Sequence, residues 1–485
     1  MNSTKSNTTL DRQHFFIGGE WVSPSSKSTF TLTDASTEAV IGVVPEGQKA
    51  DIDRAVAAAR AAFDNGSWRN TPSQERATIL RRFGAEMKNR QTELTSLVSR
   101  QNGMPSWLSA MFEGDVAIGL VDYYASLIDA PISEDKRPSQ MGRETFVSKE
   151  AIGVVAAIIP WNYPVALAMT KIAPALAAGC TLVIKPSPGT VLDSYVLAEA
   201  AIAAGLPAGV VNWVAADRDV GAYLVSHPGV DKVAFTGSTA AGRIVARECG
   251  QLLRPVTLEL GGKSAAVVLD DVDLNLFVER LPMAAFLNNG QTCFASTRIL
   301  APRSRYSEIV DAVTSTAAGL KVGNALDATT QIGPMASLAH RQRVEGYIQT
   351  GKSEGRMTTG GSRPIGLDRG YFVAPTVFAD VSNDARIARE EIFGPVLSII
   401  PYDNDADAVK IANSSEFGLG GTIWSKDEGR ALSVAKQVST GTIGINGYAP
   451  AVGSPFGGVK ASGIGRELGP EALQGYFQLK STYVM

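Results

Sequence analysis

Apolar segments of strand length alternate with helix-forming segments over residues 151–269. The strand-like segments carry few polar residues on either face, which is typical of a parallel sheet covered by helices on both sides. Four of them are AIGVVAAII (151–159), TLVIK (181–185), VDKVAF (230–235) and PVTLEL (255–260). A second alternating region extends from about residue 260 to 445. The pattern predicts an α/β fold whose ligands bind beyond the carboxyl ends of the strands.

The regions before this alternation have a less regular pattern. Short strands are expected within 15–47, and alanine-rich or charged segments favour helices over 51–63, 73–100 and 105–130. The polar segment PISEDKRPSQ (131–140) contains two prolines and predicts a loop. The segment GRETFVSKE (142–150) alternates apolar and polar residues and predicts an exposed strand.

Composition limits the classes of function. The chain has 485 residues, 45% of them hydrophobic, which is enough for two or three globular domains. Its net charge of −3 offers no broad basic surface for nucleic acid or for a membrane. The apolar runs are also shorter than the roughly 18–20 residues of a membrane span. We therefore expect neither nucleic acid nor membrane as a partner.

Cysteine usage and the N-terminus indicate a compartment. The three cysteines, Cys180, Cys249 and Cys293, are too few for a disulfide framework and suit a reducing environment. The first fourteen residues are polar and lack the apolar segment of a signal peptide. We expect a cytoplasmic protein.

Histidine usage argues against much metal chemistry. The chain has only three histidines, His14, His227 and His340, and it contains no CxxC or HExxH spacing. A multi-histidine metal site is therefore not expected. A Ser–His–Asp triad would need one of the three, but the GxSxG nucleophile motif is absent. We predict no bound metal and interpret each histidine as a surface or packing residue.

Three loops follow apolar strands at the predicted ligand-binding edge: PWNYP (160–164), PSPG (186–189) and TGSTAAG (236–242). The last of these opens a helix, and the N–H groups at a helix start favour an anion such as a pyrophosphate. The G-x-G-x-x-G fingerprint is absent, and only Gly237 and Gly242 frame the turn. A nucleotide site and an ordinary capped turn both fit this pattern.

Glu259 and Cys293 are the candidates for chemistry. Glu259 ends an apolar strand in TLELGGKS, where burial would raise its pKa and make it a general base. The alternative is a capping or ion-paired glutamate. Cys293 lies in LNNGQTCFAST among amide and hydroxyl side chains. A nucleophilic thiolate needs such a polar or electropositive environment, but an inert thiol near a turn also fits.

Seven motifs occur along the chain in the order PWNYP, VIKPSP, FTGS, LELGGKS, NNGQTC, EEIFGPV and PFGGVKASGIGRELG. With these motifs the chain resembles, from FIGGEWV to the C-terminus, the aldehyde dehydrogenase superfamily of the non-acylating type that hydrolyses its thioester. It implies a Rossmann-type NAD(P)-binding domain, an α/β catalytic domain and a small β arm used in oligomerisation. The implied bounds are 1–124 with 148–259, then 260–445, then 125–147 with 446–485. A homodimer or homotetramer is implied as well.

The resemblance also implies a role for each candidate. Cys293 would attack the aldehyde, and the Asn162 amide with the Cys293 N–H would hold the oxyanion. The thiohemiacetal would lose a hydride to the nicotinamide, and Glu259 would activate the water that hydrolyses the thioester. Lys171 and Glu467 would form a proton relay.

Nine positions would bind the cofactor by resemblance: Ile158, Trp161, Lys185, Ser187, Pro188, Gly237, Ser238, Glu391 and Phe393. Lys185 would bond the adenine ribose, Ser238 the pyrophosphate, and Glu391 the nicotinamide ribose. Many NAD-preferring members carry glutamate where this chain has Pro188, so no carboxylate there repels a 2′-phosphate. We expect NAD as the cofactor, with NADP tolerated.

The aldehyde tunnel of relatives corresponds here to Tyr163, Leu167, Thr170, Thr292, Phe294 and Phe456. None of these side chains is charged, which favours an apolar aldehyde over an acidic semialdehyde. Thr170 replaces a bulky aromatic residue of several relatives. The substitution favours a long-chain, branched, terpenoid or aromatic aldehyde as the small-molecule partner.

Two other interpretations stay open. A CoA-acylating aldehyde dehydrogenase would also use Cys293, although such relatives often lack the glutamate that this chain has at position 259. The second interpretation is that the chain is a non-catalytic descendant with a structural or binding role. The joint presence of Cys293, Glu259, Asn162 and Lys185 argues against it.

Overall fold

The computed structural model describes residues 10–66, 68–130 and 134–485. The strands are β1 (Phe15–Ile17), β2 (Glu20–Val22), β3 (Thr29–Thr33), β4 (Val40–Pro45), β5 (Asp135–Pro138), β6 (Glu144–Ala151), β7 (Val154–Ile158), β8 (Thr181–Lys185), β9 (Val211–Trp213), β10 (Lys232–Thr236), β11 (Val256–Glu259), β12 (Ala265–Val268), β13 (Arg298–Pro302), β14 (Arg356–Thr359), β15 (Thr376–Ala379), β16 (Val396–Tyr402), β17 (Gly421–Trp424), β18 (Gly444–Ile445), β19 (Gly463–Ile464) and β20 (Phe477–Val484).

The α-helices are α1 (Lys49–Asp64), α2 (Ser73–Asn89), α3 (Gln91–Asn102), α4 (Ser106–Ser109), α5 (Ala117–Leu127), α6 (Pro164–Ala178), α7 (Leu192–Ala204), α8 (Arg218–Ser226), α9 (Thr239–Gln251), α10 (Leu274–Ala285), α11 (Tyr306–Gly319), α12 (Leu338–Glu354), α13 (Arg386–Arg389), α14 (Asp405–Asn413), α15 (Glu428–Ala435) and α16 (Gly469–Gln474). A π-helical segment, Ala110–Val116, joins α4 to α5. Short 3₁₀ turns occupy Leu287–Gly290, Arg303–Arg305 and Lys460–Ser462.

Two large sheets form the α/β fold. The first has the order β19-β11-β10-β7-β8-β9-β1-β2, and the run from β11 to β9 is parallel. The second has the order β14-β15-β16-β13-β12-β17-β18 and is parallel except for β14. Every residue of β7 and β8 is buried, because helices cover both faces of the sheet. The predicted α/β class is confirmed.

A third, antiparallel sheet has the order β20-β6-β5. The predicted loop over 131–140 is wrong at Asp135–Pro138, which form β5; residues 131–133 lie outside the described residues. Pro138 is tolerated because β5 is an edge strand, where a missing N–H removes no inner hydrogen bond. The arm limits 125–147 and 446–485 stay a prediction, although β6 continues to Ala151 and β19 pairs with β11 of the first sheet.

The predicted helices 73–100 and 105–130 are each interrupted. Arg90 leaves helical geometry between α2 and α3, with φ of −106° and ψ of 9°. The second helix contains the π-helical segment before it continues as α5. Among the described residues, no helix combines the length and apolarity needed to cross a bilayer.

Candidate active site

One cleft collects the loops at the carboxyl ends of β7, β10 and β11, and it has a volume of about 230 Å³. Parallel strands bring their carboxyl ends to one edge, so distant loops meet there. The wall is completed by segments from the second half of the chain. The lining residues are Pro160, Trp161, Asn162, Thr236, Gly237, Ser238, Glu259, Leu260, Gly261, Cys293, His340, Arg343, Glu391 and Phe393.

A strained turn leads the chain to Cys293. Asn288, Asn289 and Gly290 are consecutive residues with φ of 50°, 62° and 77°, in the left-handed region that asparagine and glycine tolerate best. A Cβ at Gly290 would lie 2.2 Å from the carbonyl oxygen of Gly394, so only glycine fits. Backbone strain of this kind persists where surrounding contacts hold it, often at functional sites.

Side-chain amides supply those contacts. Asn289 donates to the carbonyl oxygens of Gly103 and Pro334, both at 2.9 Å, and accepts from Gly333 N–H at 2.6 Å. Asn288 donates to the carbonyl oxygen of Asn162 at 2.9 Å. The amides near Cys293 therefore fix the shape of the loop that carries the thiol.

Asn162 faces this loop from the PWNYP segment. Its Nδ2 donates to the carbonyl oxygen of Gln291 at 3.1 Å, and the side chain is buried in the cleft wall. An amide nitrogen carries two N–H groups. One bond within the described residues leaves a second donor for a ligand near Cys293.

Glu259 is the last residue of β11, as its sequence position predicts, and it is only 3% exposed. Neither carboxyl oxygen has a hydrogen-bond partner among the described residues. Burial, reinforced by Glu467, raises the pKa of Glu259 well above its usual value, while Lys171 and Arg466 oppose the shift. A buried, unpartnered carboxyl group of raised pKa is suited to proton transfer.

The environment of Cys293 differs from the electropositive one that a reactive thiol suggests. Burial, followed by the nearby Glu391 and Glu259, raises the pKa of the Cys293 thiol well above its usual value. The charged neighbours are carboxyl groups rather than cations. The thiol therefore rests protonated at neutral pH and needs a base or an added positive charge to become nucleophilic.

Lys171 and Glu467 form a buried ion pair with 2.6 Å between Nζ and Oε1. Lys171 also donates to the hydroxyl of Thr236 at 2.6 Å, and Thr236 lines the cleft. The pair, which does not line the cleft itself, thus lies behind Thr236 on the side of Glu259. This contact connects the two residues to the cleft through one hydroxyl group.

Five of the nine predicted cofactor residues line the cleft: Trp161, Gly237, Ser238, Glu391 and Phe393. Ser238 caps α9 by accepting from Ala241 N–H at 3.3 Å. Glu391 accepts from Gly262 N–H at 3.0 Å, and burial raises its pKa to about 7. Phe393 has a left-handed φ of 64°.

The other four predicted cofactor residues lie beyond the cleft, at the ends of β7 and β8: Ile158, Lys185, Ser187 and Pro188. Lys185 is buried, and its ammonium group donates to the carbonyl oxygens of Pro186 at 3.1 Å and Ala216 at 2.8 Å. Burial lowers the pKa of Lys185 to about 8. Pro188 is half-buried, so a ligand has access to it.

None of the six predicted tunnel residues lines this cleft. Tyr163 and Thr292 are joined by a 2.8 Å hydrogen bond between their hydroxyl groups. Phe294 packs edge-on against Phe456, with 6.1 Å between ring centroids. Leu167 and Thr170 lie on α6, where the Thr170 hydroxyl donates to the Leu167 carbonyl at 2.9 Å.

Sequence reasoning missed three residues near Cys293. His340 and Arg343 both line the cleft. The Nε2 atom of His340 lies 2.6 Å from the Phe393 carbonyl oxygen, and burial lowers the pKa of His340 to about 4. Tyr448 stacks on Phe294 with 4.5 Å between ring centroids. No local pattern marks these positions, because each reaches the site only through the tertiary fold. Among the described residues, no cluster of metal-ligating side chains occurs.

The fold and the cleft define an α/β protein in which a thiol, a carboxyl group and an amide converge. Residues 21–482 match the model of the aldehyde dehydrogenase family. The chain is 57% identical over 477 residues to a geranial dehydrogenase of Castellaniella defragrans, covering 98% of this chain and 100% of that protein. The chain belongs to the aldehyde dehydrogenase family.

Solved structures agree with this assignment. A Mycobacterium tuberculosis aldehyde dehydrogenase complexed with NAD+ is 46% identical, with a TM-score of 0.96 and 99% of each chain covered. A mutant of aldehyde dehydrogenase C from Pseudomonas syringae, complexed with NAD+ and octanal, is 37% identical, with a TM-score of 0.94 and 98% of each chain covered.

Proposed function

We propose that this protein oxidises an apolar aldehyde to its carboxylic acid with NAD+, through a thiohemiacetal and a thioester on Cys293. One observation carries the proposal: Cys293, Asn162 and Glu259 line a single cleft, and both carboxyl oxygens of Glu259 lack a partner among the described residues. A carboxyl group in that state is available to move a proton at the reaction centre.

Each residue has a distinct task in the proposed reaction. The Cys293 sulfur bonds to the carbonyl carbon, and the carbonyl oxygen becomes an oxyanion. The second N–H of the Asn162 amide, together with the Cys293 N–H, stabilises that oxyanion. Two preorganised donors at a developing negative charge are the usual device for this step.

The residues of the cleft, together with those beyond it at the ends of β7 and β8, suit a dinucleotide. The start of α9, capped by Ser238, presents backbone N–H groups to a pyrophosphate, with Gly237 beside it. Lys185 and Glu391 would bind the two riboses, and Trp161 and Phe393 would flank the nicotinamide. Ile158, Ser187 and Pro188 would line the adenosine end. When bound, NAD+ supplies a hydride acceptor and a positively charged ring. NADP is tolerated, because Pro188 brings no carboxylate.

Glu259 removes a proton from the water that hydrolyses the thioester. The proton leaves towards Thr236 and the Lys171–Glu467 pair. The buried Glu259 supports hydrolysis rather than acyl transfer to CoA.

An apolar substrate is supported by two kinds of observation. The relative with 57% identity is a geranial dehydrogenase, and the P. syringae neighbour was solved with octanal. The six tunnel residues carry no charge, and Phe294, Phe456 and the stacked Tyr448 give one side of Cys293 an aromatic surface. Aromatic and aliphatic walls favour hydrocarbon chains over charged ones.

We also propose a cytoplasmic homodimer or homotetramer. The outer strand β20 of the three-stranded sheet exposes Leu479 and Tyr483, which are 68% and 72% accessible. An exposed apolar edge strand is a surface for pairing with another copy. All three cysteines carry free thiols, which suits a reducing compartment. Light scattering and cell fractionation test both points.

The proposed function is tested with NADH formation from purified protein. The substrates are acetaldehyde, octanal, geranial, benzaldehyde, betaine aldehyde and succinic semialdehyde. We expect kcat/KM for geranial and octanal to exceed that for the charged aldehydes by about tenfold or more. The Cys293→Ala variant should be inactive, whereas Cys249→Ala, which removes a buried thiol outside the cleft, should keep its activity.

Glu259→Gln separates oxidation from hydrolysis. It should release a burst of NADH equal to the active-site concentration and then stop, because the thioester persists. Turnover by Cys293→Ala would refute the proposed mechanism. A preference for charged aldehydes would refute the substrate assignment alone.

A further inference from the structure

Asn102, the last residue of α3, is fully buried behind the cleft. Its Nδ2 donates to the carbonyl oxygens of Trp161 and Asn162, at 3.1 and 3.0 Å. Its Oδ1 accepts from Met104 N–H at 3.0 Å. Both N–H groups and the carbonyl of this amide are therefore engaged, and two of its three partners are backbone atoms of the PWNYP segment.

Asn102 also contacts the loop that carries the nucleophile. Its backbone carbonyl accepts a hydrogen bond at 3.3 Å from Nε2 of Gln291, which lies two residues before Cys293. The Asn162 side chain in turn contacts this loop, because it donates to the carbonyl oxygen of Gln291 at 3.1 Å. One residue from a third element thus joins the two loops that contribute the amide and the thiol.

The main chain at Asn102 is itself fixed. Gly103 follows in the left-handed conformation, with φ of 80°, and a Cβ there would lie 2.2 Å from the carbonyl oxygen of Pro334. The end of α3 therefore has little freedom to move. A site is held accurately when the groups behind it are locked by packing and hydrogen bonds.

We infer that Asn102 is a positioning residue for the oxyanion site. It holds the Trp161 and Asn162 carbonyls and so orients the Asn162 side chain, whose free N–H then faces the carbonyl attacked by Cys293. The inference rests on the proposed function, because it acts through the oxyanion role of Asn162. Asn102 itself does not line the cleft.

The chain offers a matched control in Asn212, which is also fully buried. Its Nδ2 donates to the carbonyl oxygens of Leu182 and Gly209, at 3.0 and 2.8 Å, and its Oδ1 accepts from Gly18 N–H at 2.8 Å. The bonding pattern is the same as that of Asn102, but the partners lie outside the cleft. Asn212→Ala therefore reports the general cost of losing a buried amide.

The experiment is a double-mutant cycle on the full-length enzyme with geranial and NAD+. Rates are expressed per active site, titrated by the NADH burst in a Glu259→Gln background or by alkylation of Cys293. We expect Asn102→Ala to lower kcat about 100-fold while KM for NAD+ changes little, because misplacement by about 1 Å has that effect. Asn162→Ala should lower kcat on the order of 10²–10³-fold.

The decisive variant is Asn102→Ala combined with Asn162→Ala. If Asn102 acts through Asn162, its loss should matter little once that amide is absent, by about threefold or less. A further 100-fold loss, or an equal kcat loss in Asn212→Ala, would overturn the inference. Asn102→Ser, which keeps a small polar side chain, provides the same comparison if Asn102→Ala does not fold. Activity in Cys293→Ala would instead refute the proposed function.

Discussion

The hydroxyl groups of Tyr163 and Thr292 lie 2.8 Å apart, and Tyr163 is the donor. The direction follows from a second contact, in which Thr292 Oγ1 donates its single proton to the Leu287 carbonyl at 2.9 Å. Tyr163 therefore ties the PWNYP segment to the peptide just before Cys293. Tyr163, which is expected to shape the aldehyde tunnel, thus also restrains the loop that carries Cys293.

Tyr163→Phe should loosen this loop while the ring stays in place. We expect the free energy of unfolding to fall by about 1 kcal/mol, the usual net value of one buried hydrogen bond. The kcat should fall several-fold, because Cys293 is held less firmly. Tyr402→Phe is the control, since this buried hydroxyl donates to Val268 at 2.8 Å outside the cleft. Equal kcat values for both variants would contradict the restraint.

The reactivity of Cys293 should rise with pH well beyond the range of an ordinary thiol. Burial and the two carboxyl groups raise its pKa, so the thiolate fraction at pH 7 is small and increases only in alkaline solution. Iodoacetamide alkylation of the protein without cofactor, measured from pH 6 to 10, tests this. A rate that levels off below the free-cysteine pKa of about 8.5 would contradict it. Cys180 and Cys249, both buried, should alkylate more slowly throughout.

Lys171→Met should move thioester hydrolysis to higher pH. Lys171 lowers the pKa of Glu259, so its removal raises that pKa further and less of the base form is present at neutral pH. Breaking a buried ion pair also destabilises a protein by about 3–5 kcal/mol. The pH dependence of kcat is the measurement, with Lys171→Arg expected to restore it. Lys232→Met removes another buried lysine and should leave the pH profile unchanged.

Pro188→Glu should confer discrimination against NADP. The wild type is expected to use both cofactors within about 1000-fold in kcat/KM, roughly 4 kcal/mol. On the proposed binding mode a carboxylate at position 188 would face the 2′-phosphate. Juxtaposed like charges cost several kcal/mol, so NADP use should fall about 100-fold. Gly189→Glu places the same charge on an exposed neighbour with no atoms within 4 Å of its Cβ. If both variants respond equally, Pro188 does not face the phosphate.

The local hydrophobic pattern was sufficient to predict several strands of the first sheet. The strand TLVIK was predicted at 181–185 and is β8, and the expected strand end at Glu259 is the end of β11. Both follow from apolar residues on consecutive positions, which must be buried on both faces. The segment 135–138 was predicted as part of a loop but forms a strand. Pairing with β6 stabilises this strand, and the polar composition of the segment does not reveal that partner.

The roles of the site residues came from family resemblance, and they remain proposals. The sequence marked Cys293 by its amide and hydroxyl neighbours, and it marked Asn162 and Glu259 by their positions at the ends of apolar strands. It did not mark His340, Arg343, Tyr448 or Asn102, because none of them lies in a loop that follows one of the apolar strands named from the sequence. These side chains reach the site from α3, α12 and the segment before β19.

The sequence by itself determined the α/β class, the positions of several buried strands along the chain, and the family. These properties depend on the hydrophobic period and on short motifs, both of which are local. Only the tertiary structure decided that Cys293 lies among carboxyl groups, that Glu259 has no partner among the described residues, and that Asn102 joins two loops. Burial, charge proximity and hydrogen bonding depend on residues far apart in sequence, so they are fixed only when the chain has folded.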